Sequence, residues 1–286
     1  MRVLSALGFL ILAPFIGCLL DGFDRILSAR MQRRVGPPLL QPFYDLRKLF
    51  SKQMIAVNNV QLLLNLSYLV FLIIAGALLF YGTDILMCLF ILSTADIFLI
   101  MAASSDSSPY SNMGAARELM QVMAYEPITL LVAVGFYLAT GSFHVWDIIN
   151  QPKSAVLLMP GMLLGFIFSA TIKFRKSPFD LSTSHHAHQE MVKGLTTEMS
   201  GFNLAIMNIA EYYETVMILG IFCLFIINRN WWSWPLAIGV CLLIYFLEIL
   251  ADNACSRVKW QNMLQSCWLV TLLAGGLNLL VLMLMN

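Results

Sequence analysis

The run QLLLNLSYLVFLIIAGALLFY, Gln61–Tyr81, holds 21 residues without one charge. An α-helix needs about 20 apolar residues to cross a hydrocarbon layer roughly 30 Å thick, so this run reads as a membrane span. Working outward from it, the same criterion finds eight runs, at about 3–20, 61–81, 85–103, 119–141, 156–173, 204–227, 234–251 and 266–285. The whole chain agrees: 59% of its 286 residues are hydrophobic, 12% are charged, and the mean hydropathy is +0.79. That is more apolar surface than one soluble core could hide. The sequence predicts an all-α, polytopic integral membrane protein of about eight transmembrane helices, forming a single domain over residues 1–286. The lipid bilayer is its first partner, and with a net charge of +1 no nucleic-acid partner is expected.

The connections at about 21–60, 104–118, 173–203 and 252–265 hold 14 of the 17 Lys and Arg residues, and only Arg2, Lys153 and Arg229 fall on the other side. The positive-inside rule then makes those connections cytoplasmic and puts both termini outside. Trp231, Trp232 and Trp234 fall at the outer interface. The expected location is the cell membrane of a bacterium or archaeon.

The first run, MRVLSALGFLILAPFIGC, ends like a lipoprotein cleavage box. Its single leading basic residue, and the basic loop that cleavage would leave unanchored, argue that the helix is retained. The six cysteines form no CxxC, so they read as small hydrophobes in helix packing, and no cofactor is expected in this chain. No internal repeat supports an inverted-repeat transporter.

Beyond Gly36-Pro37-Pro38, Leu39–Lys52 places apolar residues on one side and Asp45, Arg47, Lys48 and Lys52 on the other, which predicts an amphipathic helix on the membrane surface. With Arg33 and Arg34 before it, the helix serves as an anchor or as a docking platform. The second connection carries Arg117, Glu118, Gln121, Tyr125 and Glu126 into the fourth run. Glu118 and Glu126, eight residues apart, can face one groove.

In the third connection Lys173, Arg175 and Lys176 are consistent with topology alone, and Pro178-Phe179-Asp180 marks a turn. His185, His186 and His188 follow, then Glu190 and Glu198. No carboxylate or thiol stands at a spacing that would finish a metal shell, so a proton relay or docking surface suits the histidines better. A solvated polar loop is the plain alternative.

Carboxylates also fall within the apolar runs: Asp96, the pair Glu211 and Glu214, and the pair Glu248 and Asp252. Each pair shares a helical face. Ionisable groups at that depth normally face a bundle interior or a hydrated path. With Glu118, Glu126, Glu190 and Glu198 they form a candidate proton or ion pathway, and hydrogen-bonded helix packing is the competing reading.

Three stretches, RRVGPPLLQPFYDLRKLFSK, NMGAARELMQVMAYE and SPFDLSTSHHAHQEMVKGLTTEMSG, resemble the cytoplasmic loops of the ND-one family of membrane subunits in respiratory complex I and its relatives in energy-converting hydrogenases. They stand in the family's order between the right spans. The resemblance implies a membrane base that docks a hydrophilic redox arm and begins an acidic path to ion pumping. It carries over Gln41, Pro42, Asp45 and Lys48; Arg117, Gln121, Tyr125 and Glu126; and Pro178, Phe179, Asp180, Glu190, Gly194, Glu198, Ser200, Gly201 and Glu211.

Two departures select a branch. Gly36-Pro37-Pro38 runs straight into Leu39-Leu40-Gln41-Pro42 without a glycine-rich insertion, and STSHHAHQE replaces an acidic run. The HHAHQE form is similar to the Ech-type and carbon-monoxide-linked energy-converting, group 4 [NiFe] hydrogenases. That resemblance implies hydrogenase large and small subunits, an iron–sulfur ferredoxin-like subunit and an antiporter-like membrane subunit as partners, with ferredoxin as electron donor. The [NiFe] centre and iron–sulfur clusters would then sit in those partners. A quinone-site subunit of a complex I-like enzyme and a free-standing ion transporter are the alternatives.

Overall fold

Asn58, in extended conformation, accepts the Val60 N–H at 2.9 Å and starts α3 (Asn59–Tyr81), which Gly82 ends in the left-handed region at φ +92°. The uncharged run is therefore one helix with its own start and stop signals. The computed structural model describes residues 2–53, 58–176, 178–179, 182–183 and 193–285. Around α3 stand α1 (Arg2–Met31), α2 (Gln41–Ser51), α4 (Ile85–Ser104), α5 (Pro109–Thr140), the short α6 (Val145–Ile149), α7 (Pro160–Lys173), α8 (Gly201–Ile226), α9 (Ser233–Ala254), α10 (Trp260–Val270) and α11 (Leu277–Met285). A π turn at Thr271–Gly276 joins the last two into one span. Among the described residues there is no strand, only the isolated bridges Asp84–His144 and Phe179–Val258.

Among the described residues seven helices are long and apolar enough to cross a membrane, and the chain is a multi-pass membrane protein. The eighth expected span is different. Run 156–173 resolves into a 3₁₀ turn at Ala155–Leu157 and the 14-residue α7, about 21 Å long against a hydrocarbon layer of roughly 30 Å. Its last residue, Lys173, meets Asp96 of α4, which lies eight residues short of the end of that helix. Helix α7 therefore stops inside the bundle. Arg175 then takes a left-handed conformation at φ +52°, and the backbone continues buried. Non-helical chain at this depth is tolerated only where protein surrounds it.

The second connection is shorter than expected, because α5 begins at Pro109 and carries Arg117 to Glu126 as helix. Hydropathy marks only the apolar part of a helix, and Ala, Arg, Glu, Leu, Met and Gln all favour helix. The expected surface helix 39–52 is α2. Phe43 stacks on Phe15 of α1 at 6.3 Å, and Phe50 meets Phe202 of α8 at 5.7 Å.

Ser5 donates to the Phe80 carbonyl, and Asn278 contacts Leu158 and Met162. Both chain ends thus lie opposite the basic connections. The exposed tryptophans Trp231, Trp232 and Trp234 open α9 at that same end. The apolar core there is aromatic, with Phe136 against Phe225 at 4.8 Å and Phe166 against Phe222 at 4.7 Å. Nearer the basic end, between α1, α3, α4, α5, α7 and α8, the interior turns ionic.

Candidate functional site: an ionic cluster at the end of the short helix

Because α7 stops early, Lys173 ends among the packed helices rather than at the surface. Its side chain is 7% exposed, and its Nζ lies 2.6 Å from Asp96 Oδ2 and 2.9 Å from Glu214 Oε1. The Tyr125 ring lies 4.3 Å from the same nitrogen. Tyr125 donates to Asp96 at 2.7 Å, and Tyr68 donates to Glu214 at 3.2 Å. Each carboxylate therefore has a cation and a phenol. Buried ions need both kinds of partner, since desolvation removes several kcal/mol per ion and the pair's attraction alone seldom restores it.

Two residues on, Arg175 faces Glu211 at 3.2 Å and Glu118 at 3.6 Å. Glu118 also accepts from Ser182 and, with the Gln121 amide turned to suit its neighbours, from Gln121 at 3.2 Å. Lys176 pairs with Asp24 of α1. Arg25 bridges Asp21 at 3.0 Å and Asp45 of α2 at 2.8 Å, and Gln41 donates to Asp45 at 3.0 Å.

A cavity of about 220 Å³ opens beside these groups. Asp21, Asp24, Glu211, Glu214, Asp252 and the segment Lys173–Lys176 line it. Gly17 also borders it, where a Cβ would collide with the Tyr212 backbone. Across the basic end, Gly114 of α5 lies so close to Gly194 and Leu195 that a Cβ would strike their backbone. Gly194 itself has φ +55°. The second and third connections are packed backbone to backbone through these two glycines.

The structure joins some of the sequence-read residues and not others. Glu118, Glu211 and Glu214 belong to the cluster, and Asp252 borders its cavity. Glu248 is 2% exposed with both carboxylate oxygens unpartnered among the described residues, and Lys176 is the charge that acts on it. Glu198 is half-buried near Asp106. Glu126 is half-buried, and no hydrogen bond or ion pair of its side chain joins it to the cluster among the described residues. Arg33, Arg34 and Lys48 are exposed, and Arg117 is half-buried. Asp180, His185, His186, His188 and Glu190 lie outside the described residues.

Read from sequence, Lys173, Arg175 and Lys176 are topology markers, and Tyr68 and Asp24 have no role. The available signal is a basic residue flush with an 18-residue run, followed by the apolar Phe174 and Phe179. Cys223 and Cys241, distant in sequence, meet across α8 and α9 with sulfurs 3.2 Å apart. No group of three or more His, Cys, Asp or Glu is placed to hold a metal ion among the described residues.

The family described as NADH dehydrogenase matches residues 4–283 of this chain. Hydrogenase-4 component C of Escherichia coli is 28% identical, with 93% of this chain and 92% of that protein covered. An NADH-quinone oxidoreductase subunit of Thermomicrobium roseum is 26% identical over 95% of this chain and 92% of its own. Among solved structures, a chain of the archaeal membrane-bound sulfane sulfur reductase superposes with a TM-score of 0.87, covering 98% of this chain and 99% of that one at 20% identity. A match across nearly the whole chain, together with the NADH-quinone oxidoreductase relatives, shows that this protein belongs to the NADH dehydrogenase family of membrane subunits.

Proposed function

We propose that this chain is the membrane-anchoring and coupling subunit of an Ech-type, group 4 energy-converting [NiFe] hydrogenase. It docks the hydrophilic hydrogenase arm and links electron transfer from ferredoxin to movement of H⁺ or Na⁺. The observation that carries the coupling role is the neighbouring pair of cations, Lys173 between Asp96 and Glu214 and Arg175 between Glu118 and the one-third-exposed Glu211. With Asp24 and Lys176 there are more carboxylates than cations, and a proton can neutralise the surplus. A perturbation at either end shifts which carboxylate holds it. Glu126, Glu198, Glu248 and Asp252 extend this proposed path, and Glu190 with the three histidines connects it to the arm.

Two observations support the hydrogenase branch: the similarity to a hydrogenase-4 component across nearly the full length of both chains, and the missing acidic run after Pro178-Phe179-Asp180-Leu181. The iron–sulfur ferredoxin-like subunit and the antiporter-like membrane subunit complete the proposed partners. The basic connections face the cytoplasm in this reading, and both termini face outward.

A second reading, a quinone-site subunit, draws on the NADH-quinone oxidoreductase relatives. The cavity's charged lining suits water and protons better than an apolar ring. Purification in mild detergent separates the two: nickel and hydrogen evolution support the hydrogenase, whereas a nickel-free, quinone-reactive complex overturns it. In reconstituted vesicles, Glu211→Gln and Glu214→Gln each keep size but remove titration, so ions moved per electron should fall several-fold. Wild-type stoichiometry in both would reduce these carboxylates to packing residues.

A further inference from the structure

Gln61, Asn65 and Tyr68 stand at i, i+4 and i+7 on the buried face of α3. The stripe reads amide, amide, phenol, and then turns apolar at Leu72, Ala75 and Leu79. Polar side chains on a buried membrane face call for partners, and here they come from other elements. Gln61 donates to the Asp106 carboxylate in the turn between α4 and α5, and Asn203 of α8 donates to the Gln61 oxygen at 2.9 Å. Asn65 donates to the Asn203 carbonyl at 2.8 Å and to its side-chain oxygen. Tyr68 donates to Glu214.

The stripe therefore starts at a carboxylate at the basic end and finishes on the ionic cluster, about 10 Å along the helix axis. It stops being polar where Glu214 is reached. One atom is left over. Asn65 has no exposed surface, and its Oδ1 accepts no hydrogen bond among the described residues. Buried polar atoms without a protein partner are commonly satisfied by internal water.

We propose that this stripe is a hydrated proton inlet, in which water at Asn65 Oδ1 joins the amide ladder to the Tyr68 hydroxyl and protons taken up at Asp106 and Glu198 reach Glu214 along α3. It rests on the reading above in which Glu214 exchanges protons. Amides do not titrate here; they hold and orient water. Each water oxygen gains one proton as it releases another. Tyr68 takes a proton from water as it passes its own to Glu214, so every relay group ends neutral and no oxidant or reductant is consumed. Burial, then the nearby Glu198, raise the Asp106 carboxyl above the usual carboxylate range, against hydrogen bonds from Gln61 and Asn58. That suits a group which must both take up and release protons.

The competing picture is a dry clamp, in which the same bonds only fix α3 to α8. In the assembled complex with the six native cysteines replaced, Asn65→Cys and Leu72→Cys can be treated with a small charged methanethiosulfonate reagent. A wet stripe makes residue 65 react at least ten-fold faster than residue 72, whereas equal, slow labelling overturns the inlet. In vesicles holding the otherwise native complex, Asn65→Leu should lower protons moved per electron several-fold, and Asn65→Ser should restore most of the loss. Wild-type stoichiometry in Asn65→Leu overturns the inlet whatever the labelling. Wild-type stoichiometry in Glu214→Gln would instead overturn the reading beneath it. Should Asn65→Leu fail to assemble, the labelling ratio decides.

Discussion

Lys173 shows how much one side chain can carry when its helix stops early. Its ammonium sits between Asp96 and Glu214 with a tyrosine face beside it, so removing it leaves two carboxylates buried without a cation. Breaking a buried pair in this way costs about 3–5 kcal/mol. Lys173→Met should therefore lower the thermal stability of the purified complex. Adding Asp96→Asn should recover part of the loss, because the double variant removes charge on both sides. Thermal unfolding of the single and double variants in one detergent measures the coupling; strictly additive losses would show that the pair contributes nothing beyond its separate members. Of this site the sequence offered the two carboxylates and their membrane depth. The identity of their cation was hidden, because a lysine after an apolar run has an ordinary explanation in topology.

At the scale of elements, the informative contact joins α5 to the segment around Gly194. Gly114 has no room for a methyl group, since the obstructing atoms are backbone atoms of Gly194 and Leu195 and cannot rotate away. Gly194 adds a left-handed φ that favours glycine. Gly114→Val should therefore push the third connection off α5 and disturb the approach of Ser182 to Glu118. The expected outcome is faster proteolysis within 177–200 and weaker retention of partner subunits, while a nearby exposed substitution, Met113→Ala, leaves both unchanged. Proteolysis at the wild-type rate in Gly114→Val would show that the contact has slack. Both glycines stand in the motifs that carry the family resemblance, yet spacing alone gives no reason for either. The reason is that they touch each other across 80 residues of chain.

Over the whole molecule, charge and hydropathy are divided between the two ends. The basic end carries α2, the exposed Arg33, Arg34 and Lys48, and the openings of α3, α5 and α8. If this end receives the soluble arm, reversing Arg33, Arg34 and Lys48 together should release partner subunits into the soluble fraction at moderate ionic strength, as screened surface charges would. Fractionation followed by immunoblotting checks it; full retention would leave α2 as a membrane anchor. The membrane class, the apolar part of seven spans, the basic end and the amphipathic α2 were all determined by the sequence alone. Each is a sum over neighbouring residues, of transfer free energy, charge or helical period, and such sums need no knowledge of the fold. Tertiary structure alone decided that α7 stops short, that Lys173 belongs to Asp96 and Glu214 rather than to the surface, and that an amide stripe on α3 meets them. These facts depend on partners 77, 41 and 146 residues apart in the chain. Buried charges choose partners by proximity in space, and only the packed helices set that proximity.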